Sequence, residues 1–142
     1  MRLTASVIKA DIGSVGGHKK PSARMMATVE GEVAKAIDKG LLIDGFVRHT
    51  GDDIAIIMTH TRGERSPEVH QFAWKTFLAA ASVAKLSGLY GAGQDLLVDA
   101  PSGNVRGAGP AVAELSFDHS LSGVRPAESF MVFAADKCGP GA

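Results

Sequence analysis

The sequence contains little cysteine and no long apolar run, and each of these absences excludes a class of protein. Cys138 is the single cysteine among 142 residues, so an intrachain disulfide and a cluster of thiolate metal ligands are both excluded. No stretch approaches the roughly 20 apolar residues that a transmembrane helix needs. Lys9 and Asp11 interrupt the N-terminal stretch before it can form the apolar core of a signal peptide. These absences predict a cytoplasmic protein that has no membrane partner.

An excess of charge of either sign is also lacking, since 15 lysines and arginines balance 15 aspartates and glutamates. A neutral chain of this kind gives no sign of binding nucleic acid. With 45% hydrophobic and 21% charged residues, the composition is that of a folded globular protein, and the length is that of one domain. A neutral total still permits a strongly acidic pocket, because net charge averages over the whole surface.

Apolar periodicity and turn residues predict an α+β fold. Apolar residues recur every fourth position from Met25 to Ile37, and Ser66-Pro67 is a typical start of a second helix. The predicted helices are 22–40 and 66–86, and the predicted strands are 3–11, 41–50, 52–60, 111–117 and 128–136. This order predicts a largely antiparallel sheet with helices on one face.

Acidic residues fall where the predicted strands begin or end. Asp11 ends the first strand, Asp52 and Asp53 lie at the turn between two strands, and Asp136 ends the last strand. If the sheet brings these positions together, the carboxylates need cations between them, because crowded like charges cannot all stay ionised. Oxygen ligands suit Mg²⁺, and His18 could add an imidazole. Two or more such cations form a clamp for phosphate ester chemistry.

Each of these residues also has an ordinary structural interpretation. Asp52 and Asp53 follow a glycine and are common turn formers, and Asp11 and Asp136 could each begin a turn by a local hydrogen bond. His18 could be a surface residue of a glycine-rich loop. The clustering at strand ends is what favours a metal site over these alternatives.

The segment 88–110 is rich in glycine and long for a loop within one domain. Its backbone N–H groups could approach a phosphate, and Arg106 could bind one with its guanidinium fork. The alternative is a flexible surface loop with an exposed arginine. Tyr90 could pack its ring on the sheet or offer its hydroxyl to a ligand. Neither a dinucleotide-binding fingerprint nor a Walker-type phosphate loop is present.

The tripeptide Gly-Asp-Asp at 51–53 raises one further alternative, a palm-type nucleic-acid polymerase. In such enzymes a hairpin with this tripeptide and an aspartate on a neighbouring strand together hold two metal ions. The neutral charge and the shortage of basic clusters argue against it.

With these motifs in view, the sequence resembles the bifunctional fructose-1,6-bisphosphate aldolase/phosphatases of archaea and deeply branching bacteria. The matching blocks run from one end of the chain to the other: "SVIKADIGSVGGH", "HTGDDIAIIMTHTRGE", "WKTFLAAASVAK", "GLYGAGQDLL", "SGNVRGAGPAVAELSF" and "FMVFAADKCGPGA". The resemblance implies a gluconeogenic enzyme that joins dihydroxyacetone phosphate to glyceraldehyde 3-phosphate and then hydrolyses the 1-phosphate of fructose 1,6-bisphosphate to give fructose 6-phosphate. It also implies several Mg²⁺ ions, with Mn²⁺ as an alternative, a layered α-β-β-α sandwich and a homo-octamer.

The resemblance further implies roles for individual residues. Those matching the Mg²⁺-binding positions are Asp11, His18, Asp52, Asp53, Gln94 and Asp136, of which Asp11, Asp52 and Asp53 are also expected to be catalytic. Those matching the substrate-binding positions are His18, Tyr90, Gly103, Asn104, Arg106, Asp136 and Lys137.

One departure from the family concerns length. Members are more than twice as long, and no lysine here matches the lysine that forms their Schiff base. Residues 1–142 are therefore expected to be the N-terminal part of such an enzyme, without aldolase activity and with at most weak phosphatase activity when isolated. The alternative is a non-catalytic module for metal binding or assembly.

Overall fold

Four strands and two helices make up most of the described chain. The computed structural model describes residues 1–15, 19–89, 91–93, 96, 110–119 and 131–134. The elements in chain order are β1 (Arg2–Asp11), α1 (Ala23–Asp38), β2 (Asp44–Thr50), β3 (Asp53–His60), α2 (Pro67–Leu86) and β4 (Ala111–Asp118). The predicted α+β class is confirmed.

The strands form one antiparallel sheet in the order β2-β3-β1-β4. β1 and β3 lie in the centre, and their pairing runs without interruption from Thr4 opposite His60 to Asp11 opposite Asp53. Because successive side chains of a strand point to opposite faces, this register also decides which residues share a face.

Both helices pack on one face of the sheet, as predicted. The alternating residues Ile8, Ala10, Ile54, Ile56 and Met58 form a buried core together with residues of α1 and α2. The intervening residues of β1 and β3, which include Lys9, Asp11 and Asp53, therefore lie on the opposite face. That second face is called here the open face, because neither helix packs on it.

The helices begin next to the predicted starts, and Ser22 and Ser66 cap them. The Ser22 hydroxyl accepts a hydrogen bond from the Met25 N–H at 3.2 Å, and the Ser66 hydroxyl accepts one from the Val69 N–H at 3.4 Å. These bonds satisfy N–H groups that have no partner within a helix. Within the described ranges, no helix combines the length and the apolar character needed to cross a membrane.

The last predicted strand covers residues 128–136, of which the structure describes 131–134. These four residues do not form a strand. Residues 131–134 have no regular secondary structure, and Met131 and Phe133 expose 80% and 87% of their surfaces. Residues 132–134 line a groove on the open face with Phe46, Arg48 and other residues of the sheet. An apolar run predicts a strand only when a neighbouring layer buries its side chains, and here the side chains remain exposed. The other residues of this predicted strand lie outside the described ranges.

A polar network on the helix side of the sheet connects three strands. The N–H of Arg62 donates to Nδ1 of His60 at 3.2 Å, so the neutral imidazole carries its proton on Nε2. That nitrogen donates to the Ser6 hydroxyl at 2.8 Å, and Ser6 in turn donates to a carboxylate oxygen of Glu114. β1, β3 and β4 are thereby joined through side chains as well as through their backbones.

The same carboxylate also binds the start of α2. The Arg65 N–H and Nε2 of His70 donate to Oε1 of Glu114 at 2.9 and 3.0 Å. Burial would raise the pKa of Glu114, but the hydrogen bonds from Ser6, Arg65 and His70 and the nearby charge of His70 hold that pKa below its usual value.

The pKa of His60 is lowered from its usual 6.5, chiefly because burial disfavours the imidazolium. The charges of Arg62 and His70 lower it further, and Glu114 opposes them. At a pH below about 6.5, His60 therefore binds a proton in the unfolded chain more readily than in the folded chain.

The free energy of unfolding should consequently fall as the pH is lowered from about 7.5 to about 5.5. The contribution of His60 is at most about 1.4 kcal/mol per pH unit, the limit for one proton. Thermal unfolding in a chelator at several pH values measures this slope, and His60→Gln should reduce it.

His49→Gln is the matched control, because His49 is exposed on β2. The control should keep the slope of the unmodified protein. An equal slope for His60→Gln and the unmodified protein would contradict the assignment of this pH dependence to His60.

Candidate metal centre

Three aspartates converge at one end of the β1–β3 pair. Asp11 is the last residue of β1 and lies directly opposite Asp53, the first residue of β3. Asp52 precedes it in the turn from β2. One carboxylate oxygen from each of the three residues lies within 4.8 Å of the others. The structure thus brings together three of the residues that the sequence predicted to form a metal site.

The turn that carries Asp52 is a two-residue hairpin connection. Thr50 of β2 pairs with Asp53 of β3, which leaves Gly51 and Asp52 as the connecting residues. Gly51 has a φ of 56°, whereas Asp52 does not adopt a positive φ. This is the pattern of a type II′ turn, in which glycine is favoured at the first connecting position. The turn therefore fixes two adjacent carboxylates at the strand end.

The backbone after Asp11 is fixed by a close approach to α2. A Cβ atom added at Gly13 would lie 2.7 Å from the Cβ of Ala84, and the φ of Gly13 is +141°, so only glycine fits there without strain. The N–H of Gly93 donates to the carbonyl of Ile12 at 2.9 Å. Residues 91–93 of the glycine-rich segment therefore lie beside the chain that leaves β1.

All three carboxylates are shielded from water. Asp11, Asp52 and Asp53 expose 2%, 1% and 5% of their surfaces. Like charges directly opposite each other in an antiparallel pair are destabilising, and burial increases their repulsion. Lys9 lies beside them on the open face, and its ammonium contacts Oδ2 of Asp53.

This donor set suits a hard divalent cation. Carboxylate oxygens are the ligands that Mg²⁺, Mn²⁺ and Ca²⁺ prefer, whereas softer metals favour imidazole or thiolate. Three carboxylates from two chain segments converge here, and a cation among them would replace mutual repulsion by attraction. The described residues fit such an ion by charge, by ligand type and by spacing.

The other predicted site residues lie outside the described ranges. Those expected to bind metal are His18, Gln94 and Asp136, and those expected to bind substrate are His18, Tyr90, Gly103, Asn104, Arg106, Asp136 and Lys137. Their roles remain predictions.

Lys9 was missed as a member of this site. In the sequence it attracts notice only as a charge that interrupts an apolar stretch. Its position two residues before Asp11 in a strand is the signal that could have revealed it, because residues i and i+2 share a face.

Comparison with known proteins shows which sequences this chain resembles. The sequence model of a family described as fructose-1,6-bisphosphatase matches residues 2–142. A protein of Thermus thermophilus named fructose-1,6-bisphosphate aldolase/phosphatase is 55% identical over 142 residues, which is 100% of this chain and 38% of the relative. Proteins of the same name from Cenarchaeum symbiosum and Sulfurisphaera tokodaii are 51% and 50% identical, each over 100% of this chain and 36% of the relative. The chain thus spans little more than a third of the length of the curated relatives it matches.

Replacement of one aspartate tests the electrostatics of the cluster. Asp11→Asn removes one of two directly opposed charges, so we expect a higher melting temperature in EDTA than for the unmodified protein. A shift of about 2–8 °C corresponds to about 1 kcal/mol in proteins of this size range. Addition of Mg²⁺ or Mn²⁺ should stabilise the unmodified protein, by about 2.7 kcal/mol at a hundred times the dissociation constant, and the variant by less.

Asp118→Asn is the control, because the side chain of Asp118 is 81% exposed in an ion pair with Arg2. An exposed pair contributes little, so this variant should respond to the cation as the unmodified protein does. An equal response of Asp11→Asn to the cation would argue against Asp11 as a ligand.

Proposed function

The chain belongs to the fructose-1,6-bisphosphatase family, and we propose that it supplies cation-binding carboxylates to a fructose-1,6-bisphosphate aldolase/phosphatase of gluconeogenesis. The observation that carries this proposal is the buried convergence of Asp11, Asp52 and Asp53. The proposed reaction joins dihydroxyacetone phosphate to glyceraldehyde 3-phosphate, and hydrolysis of the 1-phosphate then gives fructose 6-phosphate. Because the chain spans little more than a third of the relatives, both activities are proposed for the intact protein.

Mg²⁺ is the proposed cation, with Mn²⁺ as an alternative. Asp11, Asp52 and Asp53 would hold it, and His18, Gln94 and Asp136 are proposed as further ligands of several ions. When bound, a divalent cation acts as a Lewis acid toward phosphate oxygens and lowers the charge of the group under attack. The oxygen-only set on the described residues favours such hard cations.

The carboxylates would act on the substrate through position and burial. Asp52 and Asp53 are adjacent on a tight turn, so their oxygens are held in a nearly fixed relation before substrate binds. Their exclusion from water strengthens every electrostatic contact made there. A phosphate brought to this strand end would meet three negative charges, and its binding without a cation would be strongly opposed.

The residues proposed to bind the sugar phosphates are His18, Tyr90, Gly103, Asn104, Arg106, Asp136 and Lys137. The described residues 91–93 support a role for the glycine-rich segment near the aspartates, because the Gly93 N–H donates to the carbonyl of Ile12, the residue after β1. Glycines allow a backbone to approach a phosphate closely and to donate N–H groups to it. Arg106 is proposed to neutralise a phosphate that does not face the carboxylates.

The open face supports a proposal about assembly. Phe46 of β2 and Leu115 of β4 lie on that face and expose 47% and 44% of their surfaces. An antiparallel sheet with apolar residues on both faces is expected to pack against a second layer. We therefore propose the α-β-β-α sandwich and the homo-octamer of the family for the intact protein. The cytoplasmic location is proposed from the gluconeogenic reaction given above.

The phosphatase assignment is tested by the double variant Asp52→Ala, Asp53→Ala in the intact protein. Phosphate release from fructose 1,6-bisphosphate should fall at least about 100-fold at ordinary Mg²⁺, because substitutions even in the residues that support a metal's ligands cost about 10- to 100-fold. Release of inorganic phosphate and circular dichroism are measured on the same samples.

The matched control is Asp38→Ala, Asp44→Ala, which removes two exposed carboxylates from the same part of the chain. It should retain activity. Undiminished phosphate release by the Asp52, Asp53 variant would refute the assignment, and an intact protein that binds Mg²⁺ without turning over sugar phosphates would favour a non-catalytic module.

A further inference from the structure

Lys9 occupies a position from which it can act on the aspartate cluster. It lies in β1 two residues before Asp11, on the same open face. Its direct partner in the pairing with β3 is Ala55, and Asp53 is the diagonal neighbour one step further along. Diagonal neighbours in an antiparallel pair are within reach of long side chains. The register thus aims Lys9 at Asp53.

Small residues flank Lys9 on both sides. It pairs with Ala55 of β3 and with Ala111 of β4. Short side chains at both cross-strand positions leave room for the lysine stem to extend along the sheet. The ammonium contacts Oδ2 of Asp53, while the other oxygen of that carboxylate, Oδ1, is buried. Asp53 therefore faces the lysine with one oxygen and keeps the other within the protein.

This ion pair differs from those at the surface. The side chains of Lys9 and Asp53 are 24% and 7% exposed, whereas those of Lys35 and Glu32 on α1 are 65% and 36% exposed. A surface pair contributes little, because water and salt screen it. Removal of one partner from a buried pair leaves an uncompensated charge and is much more harmful. The loss of Lys9 would remove a positive charge from beside three buried carboxylates.

Resting on the proposed function, we propose that Lys9 is a positioning residue that serves as a fixed counter-ion of the metal centre. It offsets part of the negative charge that Asp11, Asp52 and Asp53 bring to the cluster. It also holds Oδ2 of Asp53 by direct contact with its ammonium.

Two opposite effects on the protein follow from this role. Without a divalent cation, Lys9 stabilises the folded state, because it offsets repulsion among buried carboxylates. With a divalent cation, the same ammonium repels the ion and lowers its affinity. The lysine thus keeps the site folded when it is empty and limits how tightly it holds a metal ion. A lysine that serves only as a packing or strand-pairing element would produce the first effect without the second.

The test uses the intact protein with Lys9→Met, which keeps most of the side-chain length and removes the charge. Thermal unfolding is followed in EDTA and in saturating Mg²⁺, and titration calorimetry with Mg²⁺ alone gives the dissociation constant. We expect a melting temperature several degrees lower in EDTA, a smaller deficit in saturating Mg²⁺, and Mg²⁺ binding about tenfold tighter.

Three further variants complete the design. Lys9→Arg keeps the charge and should restore the dissociation constant of the unmodified protein. Lys35→Met removes an exposed lysine of a surface pair and should change neither Mg²⁺ affinity nor the response of stability to Mg²⁺. Lys9→Gln gives the same comparison if Lys9→Met does not fold.

The outcomes separate this inference from the proposed function. Unchanged or weaker Mg²⁺ binding by both uncharged variants, alongside measurable binding by the unmodified protein, would overturn the role of Lys9 and leave the metal centre standing. An unmodified protein that binds neither Mg²⁺ nor Mn²⁺ would overturn the metal centre and the inference together.

Discussion

Repulsion among three buried carboxylates is the constraint on which the rest of the site depends. Their ligand atoms lie within 4.8 Å of one another, and two like charges at such a distance repel by about 3–4 kcal/mol at an effective dielectric constant of ~20. A domain is stable by only about 5–15 kcal/mol in total. The fold can therefore keep Asp11, Asp52 and Asp53 together only with a stiff backbone and compensating positive charge. Lys9 supplies part of that charge.

The stiffness comes from the same pattern that builds the core. Ile54, Ile56 and Met58 must all face the helices, so the residue that precedes this alternation, Asp53, must occupy the open face. A slip of the β1–β3 register by one residue would expose the three apolar side chains and bury the carboxylate under the helices. The position of the acidic cluster is thus specified largely by the hydrophobic core.

The predictable part of this protein is the part set by local pattern. Turn residues and apolar periodicity predict the helix starts at Ser22 and Ser66 and the two central strands. The positions of Asp11, Asp52 and Asp53 at strand ends predict that their carboxylates meet. The spacing of Lys9 and Asp11 places the lysine on the face of the cluster. Its contact with Asp53, 44 residues away in sequence, also depends on the register between β1 and β3, which local pattern does not encode. The strand predicted over 131–134 is wrong for a related reason. An apolar run indicates a strand only where another layer buries it, and these side chains remain exposed.

The two acidic regions of the sheet differ in a way that makes the one at Glu114 structural and the one at Asp11, Asp52 and Asp53 suited to a ligand. Glu114 accepts hydrogen bonds from Ser6, from the Arg65 N–H and from His70, so its charge is compensated by donors of the chain itself. At the other end of β1, about 17 Å from Ser6 along the strand, three carboxylates lie close together, and the Lys9 ammonium contacts one of them. A buried carboxylate surrounded by donors needs nothing further to be stable. Three carboxylates this close repel one another, and a divalent cation between them would offset that repulsion. This crowding of like charge is the physical reason to expect a cation at one end of the sheet, whereas the hydrogen-bonded Glu114 supports the structure at the other end.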